Sequence, residues 1–183
     1  PARREATGVA AVTRPINTEP TESRGMGRVN EDDLEWSETE REETHFRRKS
    51  LSSETDVDDL GASLYELPPD GSSWPYHFHT GNAEAIYVLS GAGVLRTPDG
   101  EEPIEAGDYC DFPATPEGAH RLRNDGDDPL RFLAVSTMQD PDVTVYPDSE
   151  KIGVYAGAPP GGDKDERVVA GYYREGDDGD YWE

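Results

Sequence analysis

The chain has one cysteine, Cys110, so no disulfide framework can hold it together. It has no apolar run approaching the ~18 residues that a membrane-crossing helix requires, and its N-terminus lacks the apolar core of a signal peptide. The expected location is therefore cytoplasmic. Lysine is nearly absent, with only Lys49, Lys151 and Lys164. Hydrophobic residues make up 33% of the 183 positions, so part of the chain is expected to pack nothing. Long amphipathic helices are missing too. Nineteen glycines and 15 prolines favour turns and short strands instead.

What is abundant is acid. Forty Asp and Glu against 17 Lys and Arg give a net charge of −23. Such a surface repels nucleic acid phosphates and anionic lipid, which removes both as expected partners. Acid also decorates the expected turns (Asp99, Glu101, Glu102, Asp125, Asp127, Asp128). Self-repulsion on this scale is screened in molar salt, where the Debye length falls to about 3 Å. The composition therefore reads as that of a salt-adapted, halophilic protein.

Three segments differ in texture. Residues 1–42 are polar without a sustained period and are expected to form a mobile arm, with a short helical turn within 31–43 docked by Trp36. Residues 43–147 carry short β-like runs near 46–51, 62–67, 76–79, 85–89, 93–97, 102–105, 108–112, 120–123 and 130–136. Turn signals such as Pro68-Pro69-Asp70-Gly71 and Asp99-Gly100 punctuate them. Evenly spaced short strands without intervening helices predict an all-β antiparallel sandwich or barrel. Residues 148–183 form a C-terminal extension with further strand-like runs at 152–155 and 167–173. Its aromatics Tyr172, Tyr173, Tyr181 and Trp182 predict packing on the barrel or on a partner subunit.

The chain holds four histidines, and three fall in two short segments. In a strand, positions i and i+2 face the same side. His77 and His79 therefore converge while Phe78 faces away. Residues 80–83 can reverse the chain and bring Glu84 to the start of the next strand, beside them. His120 arrives from a separate strand. Three imidazoles and one carboxylate suit a mid-row divalent metal and leave positions open for a ligand, unlike a closed structural site. A carboxylate inside an apolar barrel costs several kcal/mol unless it is paired or metal-bound. The identity of the ion stays open among Fe, Mn, Ni, Cu and Zn. Tyr76 and Tyr87 adjoin the ligands in sequence but strand parity turns them outward. Arg121 and Arg123 point outward likewise. No residue near the motifs offers an obvious general base, so catalytic residues are unknown, and acid–base roles fall to bound water, Glu84 or the tail. Cys110 reads as a small core residue, His45 as a surface residue, and Trp74 as core or as a cap on the barrel mouth.

His77-Phe-His79, four residues, Glu84, six residues, Gly91 resembles the first motif of the cupin superfamily. Gly107, Pro113, Gly118, His120 and Asn124 resemble the second, although the loop from Pro113 to Gly118 is about two residues longer and only Ala119 separates Gly118 from His120. The resemblance covers about residues 60–137. It implies a double-stranded β-helix, or jelly-roll barrel, with a metal held by His77, His79, Glu84 and His120, in a protein that is commonly a homodimer. Superfamily members include oxygenases, decarboxylases, isomerases and non-catalytic binders, so fold does not fix function. Three classes stay open: a metalloenzyme acting on a small molecule, a small-ligand binding or sensing protein, and a structural dimerisation module.

Overall fold

The computed structural model describes residues 26–182 except Asp56 and Asp178. The expected arm over residues 1–25 lies outside the described residues. Within 26–42, Glu31–Asp33 form one 3-10 turn, capped where the Asn30 side chain accepts from the Asp32 amide at 3.0 Å. A strand, β1 (Ser37–Arg41), follows and pairs antiparallel with β2 (Thr44–Ser50), Ser37 opposite Arg48. Strand pairing thus begins before residue 43. Trp36 is docked, with Arg47 and Lys49 each 4.9 Å from its ring centre.

The remaining strands are β3 (Leu60–Leu67), β4 (Phe78–His79), β5 (Glu84–Ser90), β6 (Ala92–Thr97), β7 (Gly100–Glu105), β8 (Tyr109–Phe112), β9 (Arg121–Arg123), β10 (Leu130–Thr137), β11 (Asp142–Tyr146), β12 (Lys151–Ala156) and β13 (Val169–Arg174). All pairings are antiparallel. They form sheets in the orders β1-β2-β3-β10-β5-β8, β13-β12-β11-β4 and β7-β6-β9. This is the expected all-β jelly-roll architecture. Among the described residues no helix is long and apolar enough to cross a membrane.

The barrel has a filled end and a hollow end. At the filled end the six-stranded sheet packs on the three-stranded one, and Leu67, Val88 and Leu130 are fully buried beside Leu95, Ile104 and Leu122. Each such side chain contributes about 1.5–3 kcal/mol by leaving water. At the hollow end the six-stranded sheet faces the four-stranded one. There its inner surface carries Gly61, Ser63, Ala134 and Ser136, too small to fill the gap, and a cavity of about 630 Å³ remains.

Buried Asn124 locks the turn between β9 and β10. Its Nδ2 donates to the carbonyls of Leu67 (3.0 Å) and Asp128 (2.9 Å), and its Oδ1 accepts from the Gly126 amide (2.9 Å). Two glycines are required by space. Gly91 has φ +83°, and a Cβ there would lie 2.4 Å from the Pro129 carbonyl oxygen; at Gly118 a Cβ would lie 2.0 Å from that of Pro113.

The C-terminal segment adds β12 and β13 to the sheet that also contains β4, so it packs on the barrel and walls the cavity. Tyr181 and Trp182 depart from the expected packing. They meet edge to face with ring centres 4.7 Å apart and are exposed, as are Tyr172 and Tyr173 on β13, although Tyr172 still reaches Tyr155. Cys110 packs partly buried against the core, and His45 approaches Glu38 at 3.1 Å on the outside.

Candidate metal centre

His77 and His120 face each other across an antiparallel bridge, in which the His77 amide donates to the His120 carbonyl (3.3 Å) and the His120 amide to the His77 carbonyl (2.9 Å). His79 sits two residues along, on β4, opposite Thr144 of β11. Glu84 opens β5, between Ser136 and Phe112 in the sheet register. All four side chains line the cavity, and the three imidazoles are buried. Glu84 Oε2 lies 3.9 Å from His77 Nε2, 3.6 Å from His79 Nε2 and 3.5 Å from His120 Nε2. The donor atoms of His77, His79 and Glu84 all fall within 4.8 Å of one another. The structure therefore groups His77, His79 and Glu84 within ligand reach of one another, while His120 joins them through its approach to Glu84.

The outward nitrogens fix the tautomers. His77 Nδ1 meets the Pro75 carbonyl at 2.8 Å, and His120 Nδ1 meets that of Gly118 at 2.9 Å. A carbonyl only accepts, so both Nδ1 atoms carry the proton. His79 Nδ1 donates to Asp142 Oδ2 at 2.5 Å, with Thr144 Oγ1 3.2 Å away. Phe112 stacks flat on His120, with ring centres 3.7 Å apart. The Nε2 lone pairs consequently point at a carboxylate oxygen. Gaps of 3.5–3.9 Å are too wide for hydrogen bonds. Four acceptors that face one another repel unless a cation lies between them. For ligand bonds of ~2.1 Å, donor atoms sit about 3.0–3.4 Å apart, so a small contraction would seat an ion. The donor set fits a divalent metal.

Electrostatics favour the neutral form at two of the three histidines. Burial, then the neighbouring imidazoles, holds His77 well below the ordinary imidazole value; burial also lowers His120. Both stay neutral, as ligands must be. Burial pulls His79 down, but the Asp142 hydrogen bond and the Glu84 charge outweigh it and the net shift is upward. Burial, the largest single effect, pushes Asp142 up, but the hydrogen bond and charge of His79 together with the bonds from Gly81 and Asn82 outweigh it, and the net shift is downward. A carboxylate behind a ligand histidine orients the ring and raises its basicity.

Sequence reasoning missed Asp142. It is one acid among 40, and only the pairing of β11 with β4 carries it to His79. Its position directly before Val143-Thr144-Val145-Tyr146, a short stretch of β-favouring residues, was the one available signal. The reasoning also left open which residues stand beyond the ligands. They are phenols: Tyr146, Tyr155 and Tyr172 line the cavity. Tyr146 stacks on His77 at 5.9 Å, and Tyr155 Oη donates to Tyr172 Oη at 2.7 Å. Burial first, and then the neighbouring phenols, pushes Tyr146 and Tyr155 far above the ordinary tyrosine value, so both remain protonated donors. Tyr87 is exposed, and Tyr76 is buried outside the cavity under Arg96, 4.0 Å from its ring centre. Arg121 reaches Glu43 at 3.0 Å, and Arg123 reaches Glu101 at 3.7 Å. Trp74 lines the cavity and donates through Nε1 to Tyr65 Oη at 3.1 Å.

Residues 63–136 match the Cupin domain family. Over 70 residues the chain is 44% identical to an oxalate-binding protein of Thermotoga maritima, a match covering 38% of this chain and only 55% of that curated relative. It is similar to a solved structure assigned as a sugar phosphate isomerase from Acidithiobacillus ferrooxidans, with 34% identity, TM-score 0.58, and coverage of 61% of this chain and 70% of that one. The fold alone is shared with a cupin-superfamily sugar phosphate isomerase from Silicibacter pomeroyi, at TM-score 0.68 and 23% identity over 81% of this chain and 92% of that one. Motifs, barrel and relatives agree: the chain belongs to the cupin superfamily.

Proposed function

We propose that the protein is a mononuclear divalent-metal cupin that acts on a small oxygen-bearing molecule, with His77, His79, Glu84 and His120 as ligands. The observation that carries this is the approach of three imidazole Nε2 atoms to within 3.5–3.9 Å of one carboxylate oxygen at the wall of an open cavity. When bound, the ion supplies Lewis-acid polarisation of a ligand oxygen. The protein supplies the rest. Asp142 aims His79, Phe112 fixes the plane of His120, and the hydroxyls of Tyr146, Tyr155 and Tyr172 make the cavity wall polar where substrate oxygens would lie. Similarity to the sugar phosphate isomerase from Acidithiobacillus ferrooxidans supports turnover of a polyoxygenated substrate.

A second reading, binding without turnover, is favoured by the similarity to an oxalate-binding protein. The polar, unfilled cavity disfavours a purely structural dimerisation module. Elemental analysis of protein purified without chelator, beside His79→Ala, tests the metal centre: about one ion per wild-type chain and loss in the variant is expected, and a wild-type chain that takes up no ion refutes it. A substrate screen under air and under nitrogen then separates isomerase-type from oxygen-dependent chemistry. Ligand binding without product in either atmosphere selects the second reading.

A further inference from the structure

The charges of the cavity wall run opposite to those of the molecule. In a chain of 40 acids and 17 bases, the wall contains four cations, Arg41, Arg48, Lys164 and Arg167, and one carboxylate, Glu84. Elsewhere the arginines follow the surplus of acid: Arg47 and Arg131 hold Glu66, Arg96 holds Asp148, Arg121 holds Glu43 and Arg123 holds Glu101. Among the described residues, none of the four cavity cations has a carboxylate within ion-pair distance. Arg28, Lys49, Lys151 and Arg174 also lack one, but these do not line the cavity, and Lys49 instead donates to the Glu31 carbonyl; of the four cavity cations Arg41 and Lys164 are exposed and Arg48 and Arg167 half-buried.

Two of the four are placed with particular consequence. Arg48 lies on β2, on the inner face with Phe46 and Ser50, level with Val88 in the sheet register, so it stands three strands across and four residues along from Glu84, about 14 Å and 13 Å at the usual spacings. Its side chain makes no hydrogen bond or ion pair among the described residues. Arg167 is the opposite, fully positioned. Its Nε donates to the Ala158 carbonyl at 3.2 Å, its Nη2 to that of Pro159 at 2.9 Å, and its guanidinium lies 4.9 Å from the Tyr155 ring centre. Its Nη1 has no partner among the described residues. The floor between Arg48 and the histidines is Ser63, Ala134 and Ser136, open and set with hydroxyls.

We propose that Arg48, on the six-stranded sheet, and Arg167, packed on Tyr155 of the facing sheet, provide an oxyanion subsite of the cavity away from the histidines. It takes the phosphate-ester or carboxylate group of a polyoxygenated ligand whose other end meets the metal centre. The second half of that statement rests on the metal-centre reading above; the subsite itself does not. A guanidinium freed of carboxylates presents a planar fork of donors that matches such oxyanions. The separation from Glu84 calls for a ligand longer than a two-carbon acid.

The test uses inorganic phosphate and, separately, acetate as probes, titrated calorimetrically at constant ionic strength into the full chain, into R48Q, into R167Q, and into the double variant H79A/H120A. Phosphate or acetate is expected to bind the wild type and the double variant alike, and R48Q and R167Q to weaken it about tenfold or more. Stronger phosphate binding assigns a phosphate ester, and stronger acetate binding a carboxylate. R48Q leaves every described hydrogen bond in place, so circular dichroism should match the wild type; R167Q reports independently. Binding of neither anion, or equal binding to wild type, R48Q and R167Q, overturns the subsite. Binding that vanishes only in H79A/H120A does so too, because the anion then sits at the metal centre. Arg48-dependent anion binding in a protein that takes up no metal would sink the metal reading and leave the subsite standing. Metal uptake without anion binding would do the reverse.

Discussion

Asp142→Asn isolates what the buried carboxylate does for the metal centre. In the native arrangement Asp142 accepts from His79 Nδ1 at 2.5 Å and from the Gly81 amide at 3.0 Å. An asparagine of the same shape keeps one acceptor oxygen for Gly81 but turns an NH2 group toward His79. The imidazole must then accept at Nδ1 and carry its proton on Nε2, where the proton blocks the ion. A hydrogen bond to a charged group is worth about 1.5–3 kcal/mol. Loss of such a supporting partner typically costs 10–100-fold in metal affinity, about 1.4–2.7 kcal/mol, so two independent estimates agree. The assay is a competition titration of zinc or manganese against a chromophoric chelator, with circular dichroism confirming that the variant is folded. A dissociation constant rising about 10–100-fold is expected. A folded D142N that binds within twofold of the wild type would show that His79 is oriented by something else.

Gly118→Ala should cost about 1–3 kcal/mol by overpacking, because its Cβ would meet the Pro113 carbonyl oxygen at 2.0 Å; a urea midpoint equal to the wild type's contradicts this. The metal-free protein should lose stability as pH falls from about 7 to 5.5. His77 and His120 have lowered folded values, so below the ordinary value near 6.5 the unfolded chain binds protons that the folded one refuses. His79 has the opposite sign, contributing stability below ~6.5 that is lost as pH rises, so two positions oppose one. A urea midpoint that is flat or rises on acidification goes against the reasoning. Finally, with a net charge of −23, we propose that the melting temperature rises between 0.1 M and 3 M potassium chloride; a salt-independent melting curve removes the reading of salt adaptation.

The legible parts of this molecule were the local ones. Strand parity alone placed His77 and His79 on one side, and the spacing to Glu84 needed only a reversal over residues 80–83. Turn residues such as Asp99-Gly100 marked the β6–β7 hairpin where it occurs. The illegible parts depend on which strands become neighbours. Asp142 and Tyr146 look like any acid and any aromatic until β11 pairs with β4. β1 hides because Ser-Glu-Thr-Glu-Arg is polar on both faces; it is held through its register with β2, and it sits at the sheet edge, where little of it is buried. Nothing local marks Arg48 as an inward residue either, since it lies within the run Arg47-Arg48-Lys49, whose arginine neighbour turns out to Glu66.

β11 serves two masters. Asp142 and Thr144 align an imidazole while Tyr146, two residues on, shapes the chamber in which a ligand must lie. Slipping the strand by one residue would put valines where those polar groups stand, so pocket and ion site are geared together and cannot be retuned separately through this strand. The segment from Pro160 to Arg167 is free of that constraint, since it touches the chamber but no imidazole. Natural or engineered changes of selectivity should accumulate there first.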